Sequence, residues 1–215
     1  MTVIAALVSL AACGEETSAK PADGPLTKDQ IAAAALTQGD VKGYTISDGP
    51  TVAKDSSAHV TNEACRPIVG VLVPGTIAYD GRLVRRGIVK AAHDSSARAS
   101  QSYQLALFSV ESSQAAGAAI ENLKNAVTSC ANGFQAEVSG EDRAVRRVLP
   151  NKTELGTGSV DFSLEYRTGR KVRFVVTSSG ASLISVAASD QFAHQFVPVP
   201  KELVAAQREK VEKAS

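Results

Sequence analysis

Between residues 159 and 188 the chain alternates apolar and polar residues in three runs separated by very short turns. No other feature limits the fold so tightly. Val160, Phe162, Leu164 and Tyr166 alternate with Ser159, Asp161, Ser163, Glu165 and Arg167, the two-residue period of a half-buried strand. Thr168-Gly169 turns the chain, and Val172, Phe174 and Val176 then alternate with Lys171 and Arg173. Ser179-Gly180 turns it again into residues 183–188. Strands joined by turns this short must be antiparallel neighbours. Val160, Phe162, Val172 and Phe174 are therefore expected to be buried together. The opposite face carries Glu165, Lys171 and Arg173, which predicts a wet side facing water or a ligand.

Earlier segments supply helices and more strands. Thr27-Lys28-Asp29-Gln30 reads as a capping box opening a helix to about residue 36, stopped by Gly39. Residues 42–47 read as a strand, 51–60 as extended chain, and 62–72 as a short helix that carries Cys65 and is ended by Pro74-Gly75. Residues 83–93 and 102–110, separated by Asp94-Ser95-Ser96, look like a hairpin, with Gly87 as a candidate bulge. After Ser112 and Ser113, the residues Ala116, Ile120, Leu123, Val127 and Cys130 form one apolar helical stripe, closed by Asn132-Gly133. Strands at 134–138 and 143–149 follow. Pro200 opens a charged helix over 201–213, weakly apolar at Leu203, Val204 and Val211. Helices set against an antiparallel meander give an α+β fold: a single domain, with the sheet packed by an Ala-rich helix and short helices.

The N-terminus speaks to location. Residues 3–12 are uncharged and apolar, and Leu10-Ala11-Ala12-Cys13 resembles a bacterial lipobox, where a cysteine thiol receives diacylglycerol and becomes the new N-terminus. A polar, breaker-rich stretch from Gly14 to Pro21 follows. The expected organisation is a signal peptide over 1–12, a lipidated tether over 13–25 and an extracytoplasmic domain over 26–215. A basic n-region normally precedes the apolar core; Thr2 is followed directly by apolar residues, so the true start is expected upstream. Ten apolar residues are too few to span a bilayer, which needs about 20. Membrane contact is therefore expected through the lipid on Cys13, at the outer face of the cell membrane.

Cys65 and Cys130 remain as an even pair in an exported chain, where oxidising conditions permit a disulfide. Two buried thiols, or a metal pair short of further ligands, are the alternatives. Cys130 lies on the apolar stripe of its helix and so points inward, which makes the bond structural rather than redox-active.

Candidate chemistry is sparse. A net charge of +1 gives no electrostatic footprint for nucleic acid. His59, His93 and His194 have no partners at metal-ligand spacing. His93-Asp94-Ser95 has triad residue types, but neighbours in sequence do not meet triad geometry. Leu155-Gly156-Thr157-Gly158-Ser159 resembles a phosphate loop only faintly, because a strand rather than a helix follows it. Asn151-Lys152-Thr153 carries no weight as a glycosylation triplet in a bacterial lipoprotein. No catalytic constellation is visible, and no enzyme, cofactor or metal is expected. Two basic clusters stand out: Arg82, Arg85, Arg86 and Lys90, then Arg143, Arg146 and Arg147. Adjacent residues of a strand point to opposite faces, so at most half of each cluster lines one surface. That surface is either a solvated face or a binding face for an anionic polymer, lipid headgroup or phosphate.

Several stretches carry a resemblance: Leu26-Thr27 opening a helix, then Asp40-Val41-Lys42-Gly43-Tyr44, Ala64-Cys65-Arg66-Pro67, and Thr128-Ser129-Cys130 closing the Ala-rich helix before the meander. Together they resemble the soluble domain of actinobacterial cell-envelope lipoproteins and, more loosely, the extracellular sensor domain of PknH-type mycobacterial Ser/Thr kinases. The resemblance implies an α+β domain with a cleft for an unknown ligand. That sensor domain has two disulfides, whereas this chain has one available pair. The expected function is a lipid-anchored extracytoplasmic binding or sensor-like domain with an envelope lipid, glycan or protein as partner. The alternative is an accessory envelope protein acting through protein contacts.

Overall fold

One antiparallel sheet organises the chain, in a computed structural model that describes residues 24–50, 58–73, 82–90, 101–190, 192 and 194–215. Cys13, His93-Asp94-Ser95 and Pro74-Gly75 lie outside the described residues. In chain order the elements are α1 (Lys28–Ala34), β1 (Tyr44–Asp48), β2 (Ala58–Val60), a 3-10 turn (Glu63–Cys65), α2 (Arg66–Leu72), β3 (Leu83–Lys90), β4 (Gln101–Ser109), α3 (Ser113–Ser129), β5 (Phe134–Val138), β6 (Glu141–Pro150), β7 (Ser159–Tyr166), β8 (Lys171–Ser179), β9 (Ser182–Asp190) and α4 (Lys201–Ala214). The strand order is β1-β3-β4-β9-β8-β7-β6-β5-β2. The fold is α+β, a single domain.

The meander has the expected register. Val160 lies opposite Val176, Phe162 opposite Phe174 and Leu164 opposite Val172. All six are buried, and the Phe162 and Phe174 rings stack at 5.2 Å. They face α2 and α3, whose Ile68, Ile120 and Leu123 complete a first core. Gly87, a candidate bulge, instead pairs in register with Ser47 and Gln104.

The expected wet side is not wet. Ser159, Asp161, Ser163 and Glu165 are all buried, because both faces of the sheet are covered. Helices α1 and α4 pack on this second face with Leu105, Val175, Ile184 and Val186, forming a second core. The loop after β6 closes over β7. The Asn151 amide donates to Asp161 Oδ1 and Ser163 Oγ, both at 2.9 Å, and Thr153 Oγ1 meets Ser159 Oγ at 2.9 Å. Arg173, expected in water, is half-buried and donates twice to the Asp161 carboxylate, at 2.9 and 2.7 Å. Leu155 packs on the second core, and Glu154 pairs with Lys201 at the start of α4. Buried polar groups are tolerated when they are hydrogen-bonded, and these are.

Arg146 and Arg147 break the rule that strand neighbours point apart. The β6–β7 register shifts between Val145 and Arg147, a bulge that re-aims one side chain. Both guanidiniums consequently reach Glu165: Arg147 donates at 2.9 and 2.7 Å, Arg146 at 3.4 Å. Gly133 (φ +86°) packs on the bulge, where a Cβ would sit 2.3 Å from the Val145 carbonyl oxygen.

The hydrogen bond from Arg147 is the largest cause holding the Glu165 carboxyl below its ordinary value of 4.5, although partial burial opposes it. A carboxyl depressed on folding contributes stability that is fully present above its ordinary value and lost as pH falls through the folded one. The stability gap between the wild type and Glu165→Gln, measured by urea unfolding, should therefore hold steady at neutral pH and shrink below about 4.5. A gap that stays flat across the acid range would show that these arginines contribute nothing through that carboxylate.

Helix ends follow local chemistry. The Thr27–Gln30 capping box is present in full, and Ser112 caps α3 by accepting from the Ala115 N–H. Helix α1 stops at Ala34, short of the expected residue 36, because Ala35 is extended and Gln207 of α4 takes over the end. The fully buried Gln207 amide donates to the Ala34 carbonyl at 2.7 Å and accepts from the Leu36 N–H at 3.0 Å. Two backbone groups that a helix end normally leaves unpaired are thus satisfied. Cys65 and Cys130, both buried, form a disulfide between the start of α2 and the end of α3.

Candidate functional site

Helix α2 is only seven residues long, so it covers part of the first face of the sheet and leaves a concavity beyond its end. The cleft measures about 430 Å³, within the range of roughly 300–1,000 Å³ usual for small-molecule sites. Short side chains on the sheet hollow out its floor: Ala106 of β4 beside Ser185, Ala187 and Ser189 of β9. Phe174 and Tyr166 form one flank, and Val71 to Val73 at the end of α2 form the other.

Charge gathers at the rim. Arg85 of β3, Arg143 of β6 and Arg170 of the β7–β8 turn line the cleft, with Glu141 as its carboxylate. The structure therefore draws one member from each basic cluster into a single site and separates the others. Arg86 turns to the second face, donating to the Leu36 carbonyl and pairing with Asp48, while Arg146 and Arg147 go to Glu165. Arg143 pairs with Glu141. Arg170 sits over the Tyr166 ring at 6.0 Å.

Arg85 is the uncompensated group. Burial lowers its pKa from the ordinary value, yet a guanidinium stays charged in a protein. Its described partners are neutral: Gln104 Oε1 at 3.3 Å and the Pro50 carbonyl at 3.4 Å. A half-buried cation without a carboxylate, among the described residues, is a ready partner for an anion. Burial also pushes up the pKa of the Tyr166 phenol, which keeps it neutral as a donor or an apolar wall.

The remaining candidates are elsewhere. His59 is exposed on β2, and His194 is exposed in the segment before α4. The 155–159 segment is a closed turn in which Ser159 Oγ donates to the Gly156 carbonyl, so it offers no cradle. No group of metal-ligating side chains occurs among the described residues, and no described helix is long and apolar enough to cross a membrane. Gln104 and Tyr166 carry no sequence signal that marks them as site residues. Arg170 was foreseeable, since the Thr168-Gly169 turn carries it to the end of the apolar face.

No family model and no curated protein matches the chain. Among solved structures, the extracellular domain of PknH from Mycobacterium tuberculosis matches with a TM-score of 0.54 at 12% identity, over 89% of this chain and 98% of that one. The two share a fold. A putative uncharacterized protein from Mycobacterium smegmatis matches over 91% of this chain and 97% of its own at 11% identity, with a TM-score of 0.34.

Proposed function

We propose that this chain is a sensor-like binding domain on the outer face of an actinobacterial cell membrane, held there by diacylglycerol on Cys13. The observation that carries the reading is the open cleft on the first face of the sheet, with apolar walls and a few polar groups converging on it. That is the usual form of a ligand site. The fold shared with the extracellular domain of PknH supports the location, as do the lipobox-like Leu10-Ala11-Ala12-Cys13 and the Cys65–Cys130 bond in a chain suited to oxidising surroundings.

The two halves of the reading are tested separately. Expressed in an actinobacterial host, Cys13→Ala is expected to move the protein from the membrane to the soluble fraction; unchanged membrane retention of the variant would remove the anchor. For binding, a thermal-shift panel of envelope lipids, muropeptides and glycans is expected to produce a stabilising shift that Arg85→Gln abolishes. Arg85 is partly exposed, so this variant should fold. A shift that survives Arg85→Gln would place the ligand outside the cleft.

A further inference from the structure

A second groove runs between α2 and α3 on the same face of the sheet. It measures about 360 Å³, and Pro67, Ala119, Ile120 and Leu123 form its helical walls. Its floor is Phe108, Val176 and Leu183. Each floor residue lies on the strand that also floors the cleft: Phe108 two residues beyond Ala106, Val176 two beyond Phe174, Leu183 two before Ser185. A two-residue step keeps the same face and covers about 7 Å. Val71 of α2 lines both depressions, so α2 crosses one continuous floor as a ridge. In this trough Arg85 stands in the row of Ala106, Ser185 and Val176, where the cleft meets the groove; the groove itself is mainly apolar, with the Glu63–Arg66 pair and Asn122 also on its lining.

We propose that the trough binds a single-chain anionic amphiphile, with its phosphate or carboxylate on Arg85 and its alkyl tail beside Val71 in the α2–α3 groove. Charge complementarity selects the head. Arg85 has no carboxylate partner among the described residues, whereas Arg143 is already neutralised by Glu141. The tail is selected by the groove between the helices, where a polar ligand would leave its own groups unpaired. The inference rests on the binding reading above and narrows it to one ligand class.

The test is calorimetric titration of the full chain carrying Cys13→Ala with dodecyl phosphate below its micellisation concentration, and with butyl phosphate, dodecanol and inorganic phosphate. Dodecyl phosphate is expected to bind at least about tenfold more tightly than any of the other three, the scale of one charge-assisted contact. Arg85→Gln should weaken dodecyl phosphate by about tenfold and leave dodecanol unchanged. Ala119→Phe, at a half-exposed site on the groove wall, should weaken dodecyl phosphate while leaving butyl phosphate unchanged. Inorganic or butyl phosphate binding as tightly as dodecyl phosphate would overturn the tail, and dodecanol binding equally would overturn the head. If no alkyl probe binds but a glycan or muropeptide gives an Arg85-dependent shift, this proposal falls and the binding reading stands. If nothing binds to folded protein, both fall.

Discussion

Phe162→Ala is expected to lower the unfolding free energy by about 3–5 kcal/mol, the usual cost of truncating a fully buried aromatic. Phe162 is 0% exposed and stacks on Phe174 with 12° between the ring planes. Its removal loses the ring's transfer energy, the stacking contact and close packing beneath α3. β7 is held on both sides by β6 and β8, so the backbone has little freedom to collapse into the void. Urea unfolding of the purified chain measures the loss, with Lys152→Ala as an exposed control expected to stay within about 0.5 kcal/mol. A loss below about 1 kcal/mol for Phe162→Ala would be incompatible with a well-packed core there.

Removing the disulfide should be comparably costly. The bridge closes a sequence separation of 65 residues, for which the chain-entropy model gives roughly 4 kcal/mol, within a measured spread of about 0–5. The double variant Cys65→Ala, Cys130→Ala is the better test, because a single substitution leaves a thiol free to pair elsewhere. Helix α2 is short, Cys65 at its start has no side-chain capping bond, and besides the bridge it is held by the buried Ile68 and Val69. The variant is therefore expected to lose α2 docking first, and with it the ridge between cleft and groove. Equal stability of the oxidised wild type and the double variant would mean that α2 is held by packing alone.

The meander was legible because alternation, tight turns and register all report the same geometry. Val160, Phe162 and Leu164 have no other face to occupy once Thr168-Gly169 fixes the turn. What alternation does not report is what lies on top. Ser159, Asp161 and Ser163 look like a water-facing row, and only the loop carrying Asn151 and Thr153, brought back over β7, makes them interior. The Arg146 bulge has no Gly or Pro to announce it, so strand parity assigns Arg146 and Arg147 to opposite faces. Gln207 is a polar residue in a charged helix, and its burial depends on the end of α1 arriving from the other terminus. The cleft was the least legible element. It draws on β3 to β9 and α2, and Arg85 and Arg170 line one cleft only because β4 pairs with β9.

That β4–β9 pairing has a consequence for how the chain folds. The centre of the sheet joins Gln101–Ser109 to Ser182–Asp190, strands separated by α3 and four other strands. Hairpins such as β7–β8 and β8–β9 close over short turns, but this seam must wait for nearly the whole chain, and such non-local pairing is slow. Until it forms, β4 and β9 each present an unpaired edge lined with hydrophobic residues, the kind of edge that recruits foreign strands. A chain truncated before Ser182 lacks β9 and leaves β4 and β8 as open edges permanently. The last thirty or so residues thus act as the closure of the sheet, and their loss should turn a folded domain into an aggregating one rather than a shorter one.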